Sequence, residues 1–114
     1  MKPDTTVKEN YLFRRIYRKG ASAVEPSLVV YCQKNRKGQT RLGVTVSTKL
    51  GKAVVRNHLR RQMRELWRTH KTEMCPGYDV IVVVRVRATR TPYAVLERQY
   101  LDALTKLSLL EEPT

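Results

Sequence analysis

The segment KAVVRNHLRRQMRELWR, Lys52 to Arg68, holds Arg56, Arg60, Arg61, Arg64 and Arg68 around Asn57. A guanidinium stays charged near neutrality and presents a planar fork of donors, so it can grip two phosphate oxygens or stack on a base, where an ammonium acts as a point charge. On a helix, at about 100° per residue, Asn57, Arg60, Arg61, Arg64 and Arg68 share an arc of about 100°, with the small Ala53 at its N-terminal end. Like charges at i, i+4, such as Arg60 with Arg64 and Arg64 with Arg68, cost an isolated helix about 0.2–0.5 kcal/mol per pair. The spacing therefore predicts an anion between them. A solvated structural face would interleave glutamates, and only Glu65 does so, off to one side. Asn57 adds a neutral donor and acceptor suited to a sugar hydroxyl, a base edge or a metal-bound water. Just before the helix, TVSTKLGKA brings Lys49, Gly51 and Lys52 to its N-terminus, where backbone amides and two cations favour an anion.

Other chemistries find little support. No serine, histidine and carboxylate arrangement suggests a nucleophile, and the carboxylates are too scattered to chelate a magnesium pair. His58, His70 and Cys75 are too sparse and wrongly spaced for a zinc site. Cys32 and Cys75 are far apart, which speaks against a disulfide framework and fits a reducing, cytoplasmic setting. No apolar run reaches the roughly 18 residues of a membrane span, so no membrane partner is expected.

The 114 residues, about two fifths hydrophobic, suit one domain over 1–114. The 23 Lys and Arg outnumber the 10 Asp and Glu, for a net charge of +13. The stretch from Pro92 to Glu112 carries two basic and four acidic residues, so the first 91 residues hold +15. That asymmetry points to a polyanion partner.

The elements that must position the arginines follow from periodicity. Residues 1–8 read as a flexible polar tail whose lysine can reach a phosphate. NYLFRRIYRKG spaces Leu12, Phe13, Ile16 and Tyr17 as a short basic amphipathic helix, with Asn10 as N-cap and Gly20 as stop. SLVVYCQ and RLGVTVS, joined by KNRKGQT, read as an antiparallel hairpin whose second strand keeps a small, polar face open for a ligand. In the arginine helix, Val55, Leu59, Met63 and Leu66 form the core stripe. YDVIVVVRVR, an unbroken apolar run, reads as a central strand. Thr91 and Pro92 then open a scaffold helix with a stripe of Tyr93, Leu96, Tyr100, Leu104 and Leu107. The order helix, hairpin, helix, strand, helix predicts a two-layer α+β domain.

The run RLGVTVSTKLGKAVVRNHLRRQMRE resembles the signature of the protein subunit of bacterial ribonuclease P, and the likeness extends to LFRRIYRKG, VVYC and PGYDVIVVVR. Two positions depart from the family pattern: His58 stands in place of the last arginine of an R-N-R triplet, and Thr48 where a second lysine is common. The resemblance implies an α/β sandwich of the ribosomal protein S5 domain 2 type with a left-handed β-α-β crossover, where sequence rules alone favour a right-handed one. It also implies that Lys49, Lys52, Arg56, Asn57, His58, Arg60, Arg61, Arg64 and Arg68 face a catalytic RNA subunit. A cleft with Phe13, Tyr17 and Tyr31 would accept the single-stranded 5′ leader of precursor tRNA, although Phe13 reads equally well as core. Hydrolysis, with Mg²⁺, would belong to the RNA. A ribosomal-type RNA-binding module, a DNA-reading helix and a protein-only nuclease are the alternatives; DNA is not expected as a partner, for want of helix-turn-helix spacing.

Overall fold

The computed structural model describes residues 10–110, with side chains from Phe13 onward. The expected tail over 1–8 and the side chains of Asn10 and Leu12 lie outside the described residues; the backbone of Asn10 is already helical, where a cap was expected. The elements are α1 (Asn10–Lys19), β1 (Ala21–Val24), β2 (Leu28–Lys34), β3 (Arg41–Val46), α2 (Ala53–His70), β4 (Tyr78–Val84) and α3 (Tyr93–Lys106), with 3-10 turns at Thr48–Leu50, Lys71–Glu73 and Val86–Arg90.

The four strands are ordered β1-β2-β4-β3, which corrects the expected hairpin. β4 lies between β2 and β3, antiparallel to β2 and parallel to β3. An all-apolar strand gains most from neighbours on both edges and layers on both faces, and the central slot provides all four. The connection from Asn35 to Thr40 must cross the width of β4, about 10 Å between β2 and β3, which six residues reach with ease. The true hairpin is β1 with β2, from Ala21 opposite Cys32 to Val24 opposite Val29. β1 escaped the sequence reading because ASAV is short and its Ala and Ser carry weak strand preference.

Alternation sorts the sheet into two faces. Leu28, Val30, Cys32, Val80, Val82, Val84, Leu42 and Val46 join Leu59, Met63, Leu66 and Trp67 of α2 and Leu96, Tyr100, Ala103 and Leu104 of α3 in one core. Each fully buried aliphatic side chain stabilises by about 1.5–3 kcal/mol relative to exposure. Val55 is not part of this core: it is 38% exposed, and Trp67 takes the fourth place in the stripe. The substitution of Trp67 for Val55 turns the buried arc by about 30°, because position 67 lies past Met63 on the helical wheel while position 55 lies before Leu66.

α3 begins one residue later than expected. Pro92 is the N-cap, and Thr91 Oγ1 donates to Arg87 O instead of capping. Tyr93 and Leu107 pack partly buried against the core, as the stripe required. α3 ends in a Schellman arrangement, with Leu109 N bonded to Leu104 O and Ser108 N to Thr105 O, and Ser108 at φ 57°.

The opposite sheet face presents Tyr31, Gln33, Asp79, Ile81, Val83, Arg41, Gly43 and Thr45. α1 lies across it, with Ile16 and Ile81 both wholly buried and outside the main core. Gly20 ends α1 because a Cβ there would fall 2.5 Å from the Cys32 carbonyl oxygen and 2.6 Å from that of Ile16.

Candidate nucleic-acid interface

The cationic side of α2 is an open surface. Asn57, Arg60, Arg61, Arg64, Glu65 and Arg68 line one shallow cavity. Arg60 Nη1 donates to Asn57 Oδ1 at 2.9 Å, which engages the amide oxygen and leaves its NH₂ without a partner among the described residues. Arg61 and Arg64 are exposed and have no acidic or hydrogen-bonding partner among the described residues. Arg68 departs from the expectation of an unpaired row, since its Nε and Nη2 both donate to Glu65. The hydrogen bond from Arg68 holds the Glu65 carboxyl below its usual range. At i, i+3 on a helix this pair is the cheapest neutralisation available, so the free charge is concentrated in the ridge N-terminal to it.

Lys49, Lys52, Arg56 and His58 lie at the same end of α2. Ser47 Oγ accepts from Lys49 N at 3.2 Å and opens the 3-10 turn that leads into the helix. Gly51 is at φ 139°, a conformation open to glycine, and its carbonyl accepts from Arg56 Nε at 3.2 Å. Lys52 is the N-cap residue and makes no side-chain capping bond, so the first-turn amides keep their pull on anions. His58 is exposed, one position round from Asn57.

A second feature occupies the other sheet face. Tyr17 and Tyr31 meet edge to face, with ring centroids 4.8 Å apart, and Phe13 meets Tyr17 in the same manner at 6.4 Å. Tyr17 is 40% exposed, while Phe13 and Tyr31 are half-buried. The three aromatic residues expected to form a cleft therefore come together, and Phe13 is half-buried and outside the main core. Thr45, on the small, polar strand face expected to lie open for a ligand, joins them, its Oγ1 3.4 Å from the Tyr17 hydroxyl.

Two ionic clusters secure this frame. Arg41 Nε and Nη2 donate to Asp79 at 2.7 and 2.8 Å, and Asn35 Nδ2 donates to the same carboxylate at 2.9 Å. Burial alone would raise the Asp79 pKa, but the bonds from Arg41 and Asn35 outweigh it and hold the carboxyl low. His70 bonds Glu73 through Nδ1 at 3.1 Å and Glu97 through Nε2 at 2.9 Å, joining the end of α2 to α3. Among the described residues no group of three or more His, Cys, Asp or Glu could hold a metal ion. No helix among them is long and apolar enough to cross a membrane.

The comparisons agree on one family. Residues 1–108 match the family described as Ribonuclease P. A ribonuclease P protein component from Natranaerobius thermophilus is 35% identical over 107 residues, covering 94% of this chain and 93% of that protein. One from Geobacillus thermodenitrificans is 34% identical over 113 residues, covering 98% and 93%. Among solved structures, the RNase P protein of Staphylococcus aureus superposes with a TM-score of 0.85 at 33% identity, over 96% of this chain and 100% of that one. The RNase P protein of Thermotoga maritima gives 0.79 at 28% identity, over 97% and 100%.

Proposed function

This chain belongs to the ribonuclease P protein family, and from that membership we propose how its two surfaces divide the work. The family supplies the RNA-binding component of ribonuclease P, the endoribonuclease of tRNA 5′ maturation, in which catalysis resides in the RNA subunit. The α2 surface of Lys49, Lys52, Arg56, Asn57, His58, Arg60, Arg61, Arg64 and Arg68 binds the RNA subunit. The groove of Phe13, Tyr17 and Tyr31 takes unpaired bases of the precursor tRNA leader.

The observation that carries this reading is the free pair Arg61 and Arg64 beside the Arg60–Asn57 bond, an arrangement that folding alone would penalise. Charge of one sign on an exposed ridge is compensated when a phosphate backbone lies along it. Stacking of bases on tyrosine faces is tolerant of sequence, which suits a leader that differs from one tRNA to another. The α2 ridge and the aromatic groove lie on opposite faces of the sheet, so the chain can hold the RNA subunit on one side and substrate on the other.

Mg²⁺ stabilises charge and activates water in phosphodiester hydrolysis. Among the described residues no group of three or more His, Cys, Asp or Glu could hold a metal ion; in this reading the ions used by the holoenzyme are held by RNA, and this chain lowers the repulsion among the phosphates around them. The setting is cytoplasmic.

Reconstitution with the cognate RNA subunit at low magnesium tests the assignment. The chain should raise affinity for precursor tRNA well above that for mature tRNA. Equal affinity for the two would reduce it to a general RNA-binding module.

A further inference from the structure

α1 divides the open sheet face into two parts, and only one of them is the aromatic groove. Ile16 is buried against the sheet, so at about 100° per residue Tyr17 and Arg15 leave α1 on opposite flanks. Tyr17 turns toward Thr45, at the end of β3 that leads into the α2 N-terminus. Arg15 turns the other way, into a cavity it shares with Gln33 and Lys34 of β2 and with Arg36 and Lys37 of the β2–β3 connection.

The floor of that cavity is the Arg41–Asp79 pair. Among the described residues Asp79 is the only carboxylate lining it, and its oxygens are taken up by Arg41 and Asn35, with the Lys37 charge also close enough to favour ionisation. Arg15, Lys34 and Arg36 have no acidic partner among the described residues. Asn35 Oδ1 accepts from Lys37 N at 2.9 Å and Asn35 Nδ2 donates to Gln39 O at 3.0 Å, so the basic loop is held in shape over the sheet. Arg15 also belongs to a second basic hollow, with Arg14, Arg18 and Lys19, on the outer surface of α1. A cationic path thus runs over α1 from one flank to the other.

We propose that this path binds the phosphates of the leader beyond the nucleotides stacked in the aromatic groove. The proposal rests on the leader reading given above. A strand coming from the RNA subunit at the α2 N-terminus meets Tyr17 and Tyr31 first, because that groove is on the flank nearer the end of β3. It then crosses α1 and reaches Arg15, Arg36 and Lys37. From the level of Thr45 to that of Asp79 is four residues of strand, about 13 Å, close to the diameter of a helix with its side chains. Among the described residues the cavity is lined by charged and flexible polar side chains and by no aromatic ring, which suits contact with backbone more than with bases.

The test compares a double variant, Arg15→Ala with Arg36→Ala, with the unmodified chain in reconstituted holoenzyme. The substrates are precursor tRNAs that differ only in leader length. Both residues are exposed, so thermal stability should be unchanged. The long-leader substrate should bind about tenfold more weakly, with the slope of log K against log salt shallower by roughly 0.7 for each lost phosphate contact. The short-leader substrate should bind as before, and assembly with the RNA subunit should not change. Equal loss at both lengths, weakened assembly, or no loss at either length overturns the proposal. Tyr31→Ala measured alongside separates the two readings: if it loses leader affinity while the double variant does not, only the cationic path is wrong, and if neither loses affinity the leader reading falls as well.

Discussion

Tyr17 of α1 and Tyr31 of β2 touch edge to face, 4.8 Å between ring centroids, and this contact ties the helix to the sheet on the flank where the Tyr17 hydroxyl meets Thr45. Each ring is thereby held at a fixed angle, and Tyr17 keeps 40% of its surface exposed. Preordered rings lose little rotamer freedom on binding, which is the reason such a pair can serve as a stacking platform.

Removing one ring should therefore act on substrate and not on assembly. Tyr17→Ala and Tyr31→Ala are each expected to weaken precursor tRNA binding by about 1–3 kcal/mol, roughly 5- to 150-fold, with RNA-subunit affinity unchanged. Tyr17→Phe should retain most of the affinity, since the hydroxyl contact at 3.4 Å is long. Equilibrium binding of precursor and mature tRNA to the holoenzyme measures both.

On α2, Arg61→Ala and Arg64→Ala should weaken association with the RNA subunit and flatten its salt dependence. Arg64→Ala also removes two like-charge i, i+4 neighbours, so folding stability should hold or rise by about 0.2–0.5 kcal/mol. Arg68→Ala should cost less binding, because its guanidinium is already engaged by Glu65. Filter binding across a salt series together with thermal melts would reveal a misassigned face if the arginine variants assembled normally.

Leu59→Ala empties a site that is 2% exposed and should destabilise the fold by about 2–5 kcal/mol. Val55→Asp is expected to change stability by only about 0.5 kcal/mol or less, because the side chain is substantially exposed and a carboxylate suits the first helical turn. The same substitution places a negative charge beside Lys52 and Arg56 and should weaken RNA binding. Denaturant unfolding of the two variants ranks them.

His70 makes stability depend on pH. Burial alone would depress its pKa, yet the bonds to Glu97 and Glu73 outweigh it and raise the value above the ordinary 6.5. A folded-state pKa raised above the unfolded one stabilises fully below about pH 6.5 and loses that contribution as pH rises through the raised value. Melting temperature should fall over that window, and His70→Gln should melt without the fall. A wild-type profile as flat as the variant's would show that the two carboxylates do not hold the imidazolium.

Gly20→Ala should disturb α1 directly. The added carbon would lie 2.5 Å from the Cys32 carbonyl oxygen, so the helix end must shift, at a cost of about 1–3 kcal/mol. Circular dichroism melts and precursor tRNA affinity should decline together, since the same helix carries Phe13 and Tyr17.

Much of this protein was written locally. The arc of Asn57, Arg60, Arg61, Arg64 and Arg68, the buried run of Leu59, Met63 and Leu66, the stripe of α3 and the apolar β4 all follow from side-chain periodicities of 3.6 and 2, which are properties of a single segment. Partner choice is not such a property. Nothing in Leu28–Lys34 or Arg41–Val46 states that Tyr78–Val84 will pair between them, because backbone hydrogen bonds carry no residue code and the gain comes from burying a strand that arrives later in the chain. The exchange of Val55 for Trp67, the capture of Arg68 by Glu65 and the crossing of α1 over the far face were likewise decided in three dimensions, where area and charge compete among groups distant in sequence. The residue types and their spacing thus determined which surfaces could bind a polyanion, and the tertiary structure determined that those surfaces lie on opposite faces of one sheet.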